Sequence, residues 1–297
     1  MRAKWESKEG LVAYLFLAPF LIVYGLFMIY PIIKGLIISF NDWQFGLEPT
    51  FVGFDNYIKM INDSYFWEAL WNTIYFVLIS TPSLIIFGLL IALIVNSKLK
   101  GTTFLRSAFF LPFILSISVM ASVWVFIFQP YTGLLNNILS NFGVSEEIFW
   151  LTDANLAWIS ILVATIWWTV GFNMVLFLAG LQEVPQELYE AAKVDGAGPI
   201  RTFFSITLPS LKNVVLLIVV LQTINSFKLF GQPYLMTGGG PGSDTRPLVQ
   251  YIYETAFVDQ QMGVASSMSY VLFMITIVFA FMQFKFFSEK KSKLGGK

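Results

Sequence analysis

The stretch of sequence that decides the fold is residues 183–209, EVPQELYEAAKVDGAGPIRTFFSITLP, a hydrophilic segment between two long apolar runs. Its first half predicts a short helix. Pro185 suits the first helical position, and Gly196 is typical of the residue that ends a helix. We therefore expect a solvent-exposed helix, although most of the chain around it is apolar.

The predicted helix has a small, shallow apolar face. Leu188, Ala191 and Ala192 are spaced at i, i+3 and i+4, opposite the charged residues. A helix lying on a membrane surface would carry Trp, Phe or Leu on its apolar face and basic residues on its polar face. Alanines and acids instead leave room for the close approach of another protein. Docking to a protein is favoured over a connector that lies on the membrane.

The composition predicts an all-α integral membrane protein. Of 297 residues, 57% are hydrophobic and only 12% are charged, and the mean hydropathy is +0.71. The formal net charge is zero, so nucleic-acid binding has no electrostatic basis. The chain has no Cys and no His, which excludes disulfides, imidazole metal ligands and Ser-His or Cys-His nucleophile pairs. We expect neither a catalytic site nor a metal site.

Six apolar stretches are long enough, at about 20 residues, to cross a membrane. They lie near residues 11–38, 70–96, 106–129, 156–181, 207–229 and 264–287 of a single domain, 1–297, with a hydrophilic loop at 183–206. The first stretch is too long for the apolar part of a signal peptide, so we predict that it is a helix. Prolines inside the stretches predict kinks, either for packing or around a cavity that changes shape.

The basic residues predict the orientation. All but Lys34, Lys59, Lys228 and Arg246 of the 18 Lys and Arg fall on one side of the six stretches. By the positive-inside rule, both termini and the 183–206 loop lie in the cytoplasm.

The loop resembles a signature of permease subunits of binding-protein-dependent ABC importers. That signature is E-A-A, three residues, G, nine residues and I-x-L-P. It matches Glu190, Ala191, Ala192, Gly196, Ile206, Leu208 and Pro209. Further segments resemble the carbohydrate branch of the family, of the maltose, lactose and glycerol-phosphate type. They include residues 31–40, 51–57, 106–112, 234–241 and 251–257, so that the resemblance covers nearly the whole chain.

The resemblance implies the type I ABC importer permease fold with six transmembrane helices. The loop would then be a coupling helix that binds a cytoplasmic ATPase. The residues implied in this coupling are Glu187, Glu190, Ala191, Ala192, Asp195 and Gly196. The chain has no G-x-x-x-x-G-K-[ST], so ATP and Mg would be bound by the partner ATPase, and this chain would bind no cofactor.

The same resemblance implies the partners and the location. We expect a second permease subunit in a heterodimer, two ATPase subunits, an extracytoplasmic solute-binding protein and the bilayer of a bacterial or archaeal cytoplasmic membrane. The glycine-rich stretch 238–243 lacks the lysine of a phosphate loop. Turn formation or docking of the binding protein is the favoured interpretation of this stretch.

Polar and aromatic residues, together with one glycine, in the fourth and fifth stretches predict a solute pathway near the middle of the membrane. They are Trp167, Trp168, Gly171, Asn173, Gln222, Asn225 and Ser226. Counting from Lys212 at about 1.5 Å per residue places Gln222 roughly 15 Å into the bilayer. Amides and indoles suit sugars, but Gln and Asn also join helices by hydrogen bonds, and both interpretations stay open. Lys228 is expected to extend to the membrane interface, with a role at an outer gate as the less favoured alternative.

The main alternative function is a secondary transporter or channel for a small polar solute. The acids fall in loops or at the ends of the apolar stretches, and no internal repeat is evident. Both observations favour a subunit driven by a partner ATPase.

Overall fold

The computed structural model describes residues 2–44, 46–97, 100–144 and 147–294. The helices are α1 (Arg2–Tyr24), α2 (Tyr30–Ser39), α3 (Asp55–Ile61), α4 (Ser64–Val95), α5 (Thr102–Ile114), α6 (Ile117–Ile127), α7 (Leu134–Asn141), α8 (Ala154–Glu183), α9 (Gln186–Val194), α10 (Pro199–Thr202), α11 (Leu208–Ser210), α12 (Lys212–Phe227), α13 (Gly231–Met236), α14 (Leu248–Tyr253) and α15 (Met262–Leu294). Wider π-helical turns occupy Gly25–Ile29, Phe203–Thr207 and Glu254–Val258. Two short strands, β1 (Asn41–Asp42) and β2 (Thr50–Phe51), pair antiparallel.

The described chain contains four helical stretches that are each long and apolar enough to cross a membrane. They are Tyr14–Ser39, Ser64–Val95, Ala154–Glu183 and Met262–Phe286. Two bent pairs also qualify when each pair is taken as one span: α5 with α6, and Pro199–Ser210 with α12. Each predicted stretch overlaps one of these six, so the six-helix fold predicted from the sequence is compatible with the structure.

The third predicted stretch, 106–129, is two helices rather than one. α5 and α6 meet at an angle of 102°. Leu115 and Ser116 between them are extended, and the hydroxyl of Ser116 accepts a hydrogen bond from the N–H of Val119 at 3.4 Å. The indole N–H of Trp168 donates to the carbonyl of Leu115 at 3.1 Å. These side chains satisfy backbone groups that the break leaves without helical partners.

The fifth predicted stretch, 207–229, is also bent. Pro199–Ser210 and α12 meet at 66°, and the join falls at Leu211. By contrast, Pro82 lies inside α4, which continues without a break for 32 residues. A proline at membrane depth therefore does not by itself decide where a span bends.

The chain divides into two compact units. The larger unit comprises Ser64–Tyr251 and Leu272–Lys297, and α4 packs along α8 within it. A Cβ added to Gly88 of α4 would lie 2.8 Å from Cβ of Asn173 of α8, so the two backbones approach closely at this point. Close approach of this kind is typical of helices that pack in membranes.

The smaller unit comprises Met1–Asp63 and Ile252–Val271. The amide of Asn56 donates to the carbonyls of Ser39 and Asn41, at 3.0 and 2.9 Å, which fastens α3 to the end of α2. The hydroxyl of Tyr270 donates to the carbonyl of Ile32. These bonds hold α2, α3 and the start of α15 together inside this unit.

Candidate functional site

The hydrophilic segment forms helix α9, as the sequence predicts. Pro185 precedes the helix as its N-cap rather than occupying the first helical position. At the other end Gly196 has a φ of +69°, a conformation that glycine adopts without strain. The N–H of Gly196 donates to the carbonyl of Lys193 at 3.1 Å, and the N–H of Ala197 to that of Ala192 at 2.9 Å. This pair of bonds is a Schellman motif, which ends the helix at Val194, with Asp195 as its C-cap.

One side of α9 packs against its own chain. Ala192 is only 7% exposed, whereas Ala191 is exposed and Leu188 is 45% exposed. The hydroxyl of Tyr189 lies 3.2 Å from that of Thr207. The apolar face predicted from Leu188, Ala191 and Ala192 is therefore divided, since Ala192 lies inside the chain. Tyr189 and Thr207, which the sequence reasoning missed, fix the position of α9.

The other side of α9 is accessible and acidic. Glu187, Glu190 and Asp195 are exposed, and the amide of Gln186 donates to the carboxylate of Glu190 at 3.0 Å. Val194, at the end of the helix, is 88% exposed. This surface combines negative charge with small and aliphatic side chains.

A cavity of about 810 Å³ lies in the larger unit. Its lining comes from α4, α5, α6, α8, α12 and α13 and from the residues between α12 and α13. The polar and aromatic lining residues are Phe76, Phe113, Ser118, Thr165, Trp168, Thr169, Phe172, Gln222, Asn225, Ser226, Lys228, Phe230, Gln232 and Tyr234. Four of the predicted pathway residues, Trp168, Gln222, Asn225 and Ser226, line this cavity. Trp167, Gly171 and Asn173 do not, and Lys228 lines it although the sequence favoured the interface for this residue.

Two of the polar residues of α12 are bonded to other helices. The amide of Gln222 donates to the side-chain oxygen of Asn173 at 2.7 Å, and both residues are buried. The hydroxyls of Ser226 and Ser80 lie 2.9 Å apart, also buried. Asn225 lies between these two on the helix but is exposed. The predicted polar stripe thus contains two residues that join helices and one that faces open space.

A third bond of this kind was not predicted. The amide of Gln283, on α15, donates to the hydroxyl of Thr223 at 2.8 Å. Together with the bonds to α8 and α4, it connects the C-terminal half of α12 to three different helices. Such bonds between membrane helices are typically worth about 1 kcal/mol each.

Trp167 and Gly171 serve the packing of α8. The rings of Trp167 and Trp124 meet edge to face at 5.9 Å. Gly171 lies against the backbone of Phe109, where a Cβ would overlap the carbonyl oxygen of that residue. Gly171 therefore allows α5 and α8 to approach each other closely.

The glycine-rich stretch 238–243 is a well-anchored loop. The side-chain amide of Asn72 donates to the carbonyl of Ser243, the last residue of the stretch, at 3.0 Å, and to that of Arg246, three residues further on, at 3.1 Å. The guanidinium of Arg246 lies over the rings of Tyr65 and Tyr251, 5.2 and 4.8 Å from their centres. These contacts fasten the loop to the N-terminal end of α4.

Sequence comparison places this arrangement in a known family. Residues 63–293 match the family described as the inner membrane component of binding-protein-dependent transport systems. The chain belongs to this family. It is therefore a permease subunit of an ABC importer, and such subunits are the non-catalytic components of these transporters. A secondary transporter or channel is not favoured.

Curated relatives match this permease over nearly its whole length. It is 38% identical over 291 residues to the probable ABC transporter permease protein YurN of Bacillus subtilis, covering 97% of this chain and 99% of YurN. It is 36% identical to the sulfoquinovosyl glycerol transport system permease protein SmoG of Agrobacterium fabrum, covering 92% and 90% of the two chains. It is 35% identical to the trehalose/maltose transport system permease protein MalF of Thermococcus litoralis, covering 96% of each.

The permease also shares its fold with a solved transporter. A chain of a bacterial ABC transporter involved in the import of the acidic polysaccharide alginate aligns with a TM-score of 0.85 at 23% identity, covering 97% of this chain and 99% of that chain. This agreement confirms the all-α permease fold predicted from the sequence.

Proposed function

We propose that this permease forms half of the pathway by which a sugar or sugar-like solute is imported. SmoG and MalF match the permease along nearly its whole length. Their names refer to sulfoquinovosyl glycerol and to the disaccharides trehalose and maltose. The cavity supports the same solute class. It combines the exposed amide of Asn225 and the indole of Trp168 with several aromatic rings, a combination that suits the hydroxyl edges and C–H faces of sugars.

In this proposal, α9 is the coupling helix that binds a separate ATPase. The observation that carries the assignment is an exposed acidic helix, ended by Gly196 and held by Tyr189, on a chain that lacks a nucleotide-binding motif. Glu187, Glu190 and Ala191 would contact the ATPase. Ala192 would instead pack α9 against the permease, because it is buried. ATP and Mg would be bound by the ATPase.

The complete importer would contain two permease subunits, most simply a heterodimer, two ATPases and an extracytoplasmic binding protein. The anchored loop 238–243 would be a docking platform for that binding protein. The excess of basic residues supports cytoplasmic termini and a cytoplasmic α9 in a bacterial or archaeal membrane. Of the basic residues counted for this orientation, Lys98 and Lys297 lie outside the described residues.

Reconstitution tests the proposed function. The permease is purified together with a second permease subunit, the ATPase and the binding protein of the same transporter, and the complex is placed in liposomes. We expect uptake of radiolabelled sugar that requires ATP and Mg on the ATPase side. Uptake that proceeds without ATP, on an ion gradient alone, would overturn the proposal.

A further inference from the structure

We infer that the solute carries a negatively charged group and that Lys228 is the positive charge that attracts it into the cavity. This inference rests on the proposed function, since it names the class of solute that the same cavity takes. A sugar acid, a sugar phosphate and a sugar sulfonate share the required chemistry.

The position of Lys228 places its charge at the cavity. Lys228 caps the C-terminus of α12, and its N–H donates to the carbonyl of Asn225 at 3.1 Å. The two side chains are three positions apart on the same face, both are exposed, and both line the cavity. A cation is favourable at a helix C-terminus, so α12 stabilises the charge at this point.

The cavity contains no opposite charge to neutralise Lys228. Its described lining includes no Asp, Glu or Arg, and Lys228 is its one cation. Within the described ranges, the two other cations near aromatic rings, Lys34 and Arg246, lie over tyrosines. No ion pair, hydrogen bond or ring contact engages the ammonium group of Lys228 in the part of the chain that the structure describes.

A cation in such a cavity attracts anions. The walls of the cavity are largely apolar and include the rings of Phe113, Phe172 and Phe230. Apolar walls lower the local dielectric constant, which strengthens the field of a single charge and raises the local concentration of anions. A neutral sugar needs only hydroxyl partners and ring faces, which Asn225 and Trp168 provide without a cation.

Because this chain has no cysteine, the effect of the Lys228 charge can be measured with thiol reagents at a single introduced cysteine. In membranes that contain the whole transporter with cysteine-free partners, the substitution Asn225→Cys introduces the single thiol of the complex. Its rates of reaction are measured with two methanethiosulfonates of similar size, one with a sulfonate and one with a trimethylammonium group. We expect the anionic reagent to be favoured. Lys228→Gln should lower the anionic-to-cationic rate ratio by about tenfold, whereas Lys228→Arg should preserve the ratio.

The outcomes separate this inference from the proposed pathway. If Asn225→Cys reacts with neither reagent, the cavity is closed to solutes and both proposals fail. If it reacts with both but the ratio does not depend on Lys228, only the anion assignment fails. D-glucuronate should protect the thiol more strongly than D-glucose at the same concentration. Equal protection by the two sugars, including no protection by either, would overturn the assignment.

Discussion

The side-chain amide of Gln222 on α12 donates a hydrogen bond to the side-chain oxygen of Asn173 on α8 at 2.7 Å. Gln222 is 4% exposed and Asn173 is fully buried. The sequence left two roles open for these residues, in solute binding or in helix packing. The bond favours packing for this pair, while the exposed Asn225 remains the proposed solute-binding residue. In this proposal the two roles belong to neighbouring positions of one helix.

Replacing Gln222 should destabilise the permease. Gln222→Ala removes the partner of the buried Asn173 oxygen, which should cost about 1–2 kcal/mol and lower the Tm in detergent by roughly 3–6 °C. The matched control is Asn225→Ala, which should leave the Tm unchanged but raise the KM of solute uptake. An unchanged Tm for Gln222→Ala would contradict the packing role.

Gly171 should be intolerant of a side chain. Gly171→Ala places a methyl group against the backbone of Phe109, so the helices α5 and α8 must separate, at a cost of about 1–3 kcal/mol. Gly25→Ala is the control, because nothing lies within 4 Å of the added Cβ. Thermal unfolding in detergent measures both variants. Equal Tm values for the two would show that this contact is unimportant.

The end of α9 should be essential for coupling. Gly196→Pro removes the N–H that donates to Lys193 and imposes a φ near −65° where the structure has +69°, so the turn cannot form. We expect ATP-driven uptake to fall at least about tenfold while the amount of permease in the membrane is maintained. Normal uptake at normal expression would rule out this role for the turn.

Two neighbouring alanines of α9 should respond differently to the same bulky substitution. Ala191→Trp should block docking and abolish uptake without reducing the amount of permease, because Ala191 is exposed. Ala192→Trp should reduce the amount of folded permease, because Ala192 is buried. Membrane immunoblots and uptake assays measure the difference. Identical behaviour of the two variants would contradict the observed orientation of α9.

Asn72 should hold the glycine-rich loop in place. Asn72→Ala removes the hydrogen bonds to the carbonyls of Ser243 and Arg246, so amide hydrogen exchange near the loop should accelerate by about tenfold. Stimulation of ATPase activity by the binding protein should weaken. Asn62→Ala is the control, since its side chain bonds the carbonyl of Ile58 one turn earlier in the chain. Unchanged exchange in Asn72→Ala would contradict the anchoring role.

The sequence predicted the elements whose signals are local. The apolar stretches are long, and Gly196 ends α9 because only a few residue types adopt its backbone conformation easily. The break between α5 and α6 was not predictable from periodicity. Its freed carbonyl, that of Leu115, is satisfied by Trp168, which is 53 positions away in the chain.

The orientation of side chains was the second feature that could not be predicted from the local sequence. Periodicity places Ala191 and Ala192 on neighbouring parts of one helix face, but it does not say which part the chain itself covers. The chain contacts α9 from a distance in sequence, since the hydroxyl of Tyr189 lies 3.2 Å from that of Thr207, 18 positions away. The same limit applies to α12, where the partners that distinguish Gln222 from Asn225 lie on other helices.

We propose that α9 transmits the movement of a separate ATPase to this permease. Thiol-specific crosslinking tests it most directly, because the chain has no cysteine of its own. In the assembled transporter, Ala191→Cys should crosslink to the ATPase subunit through a short thiol-to-amine reagent, with a yield that changes when ATP is added. Ala192→Cys should remain unmodified. The claim would be contradicted if Ala191→Cys formed no crosslink to the ATPase and reacted with maleimide equally fast in its presence and absence.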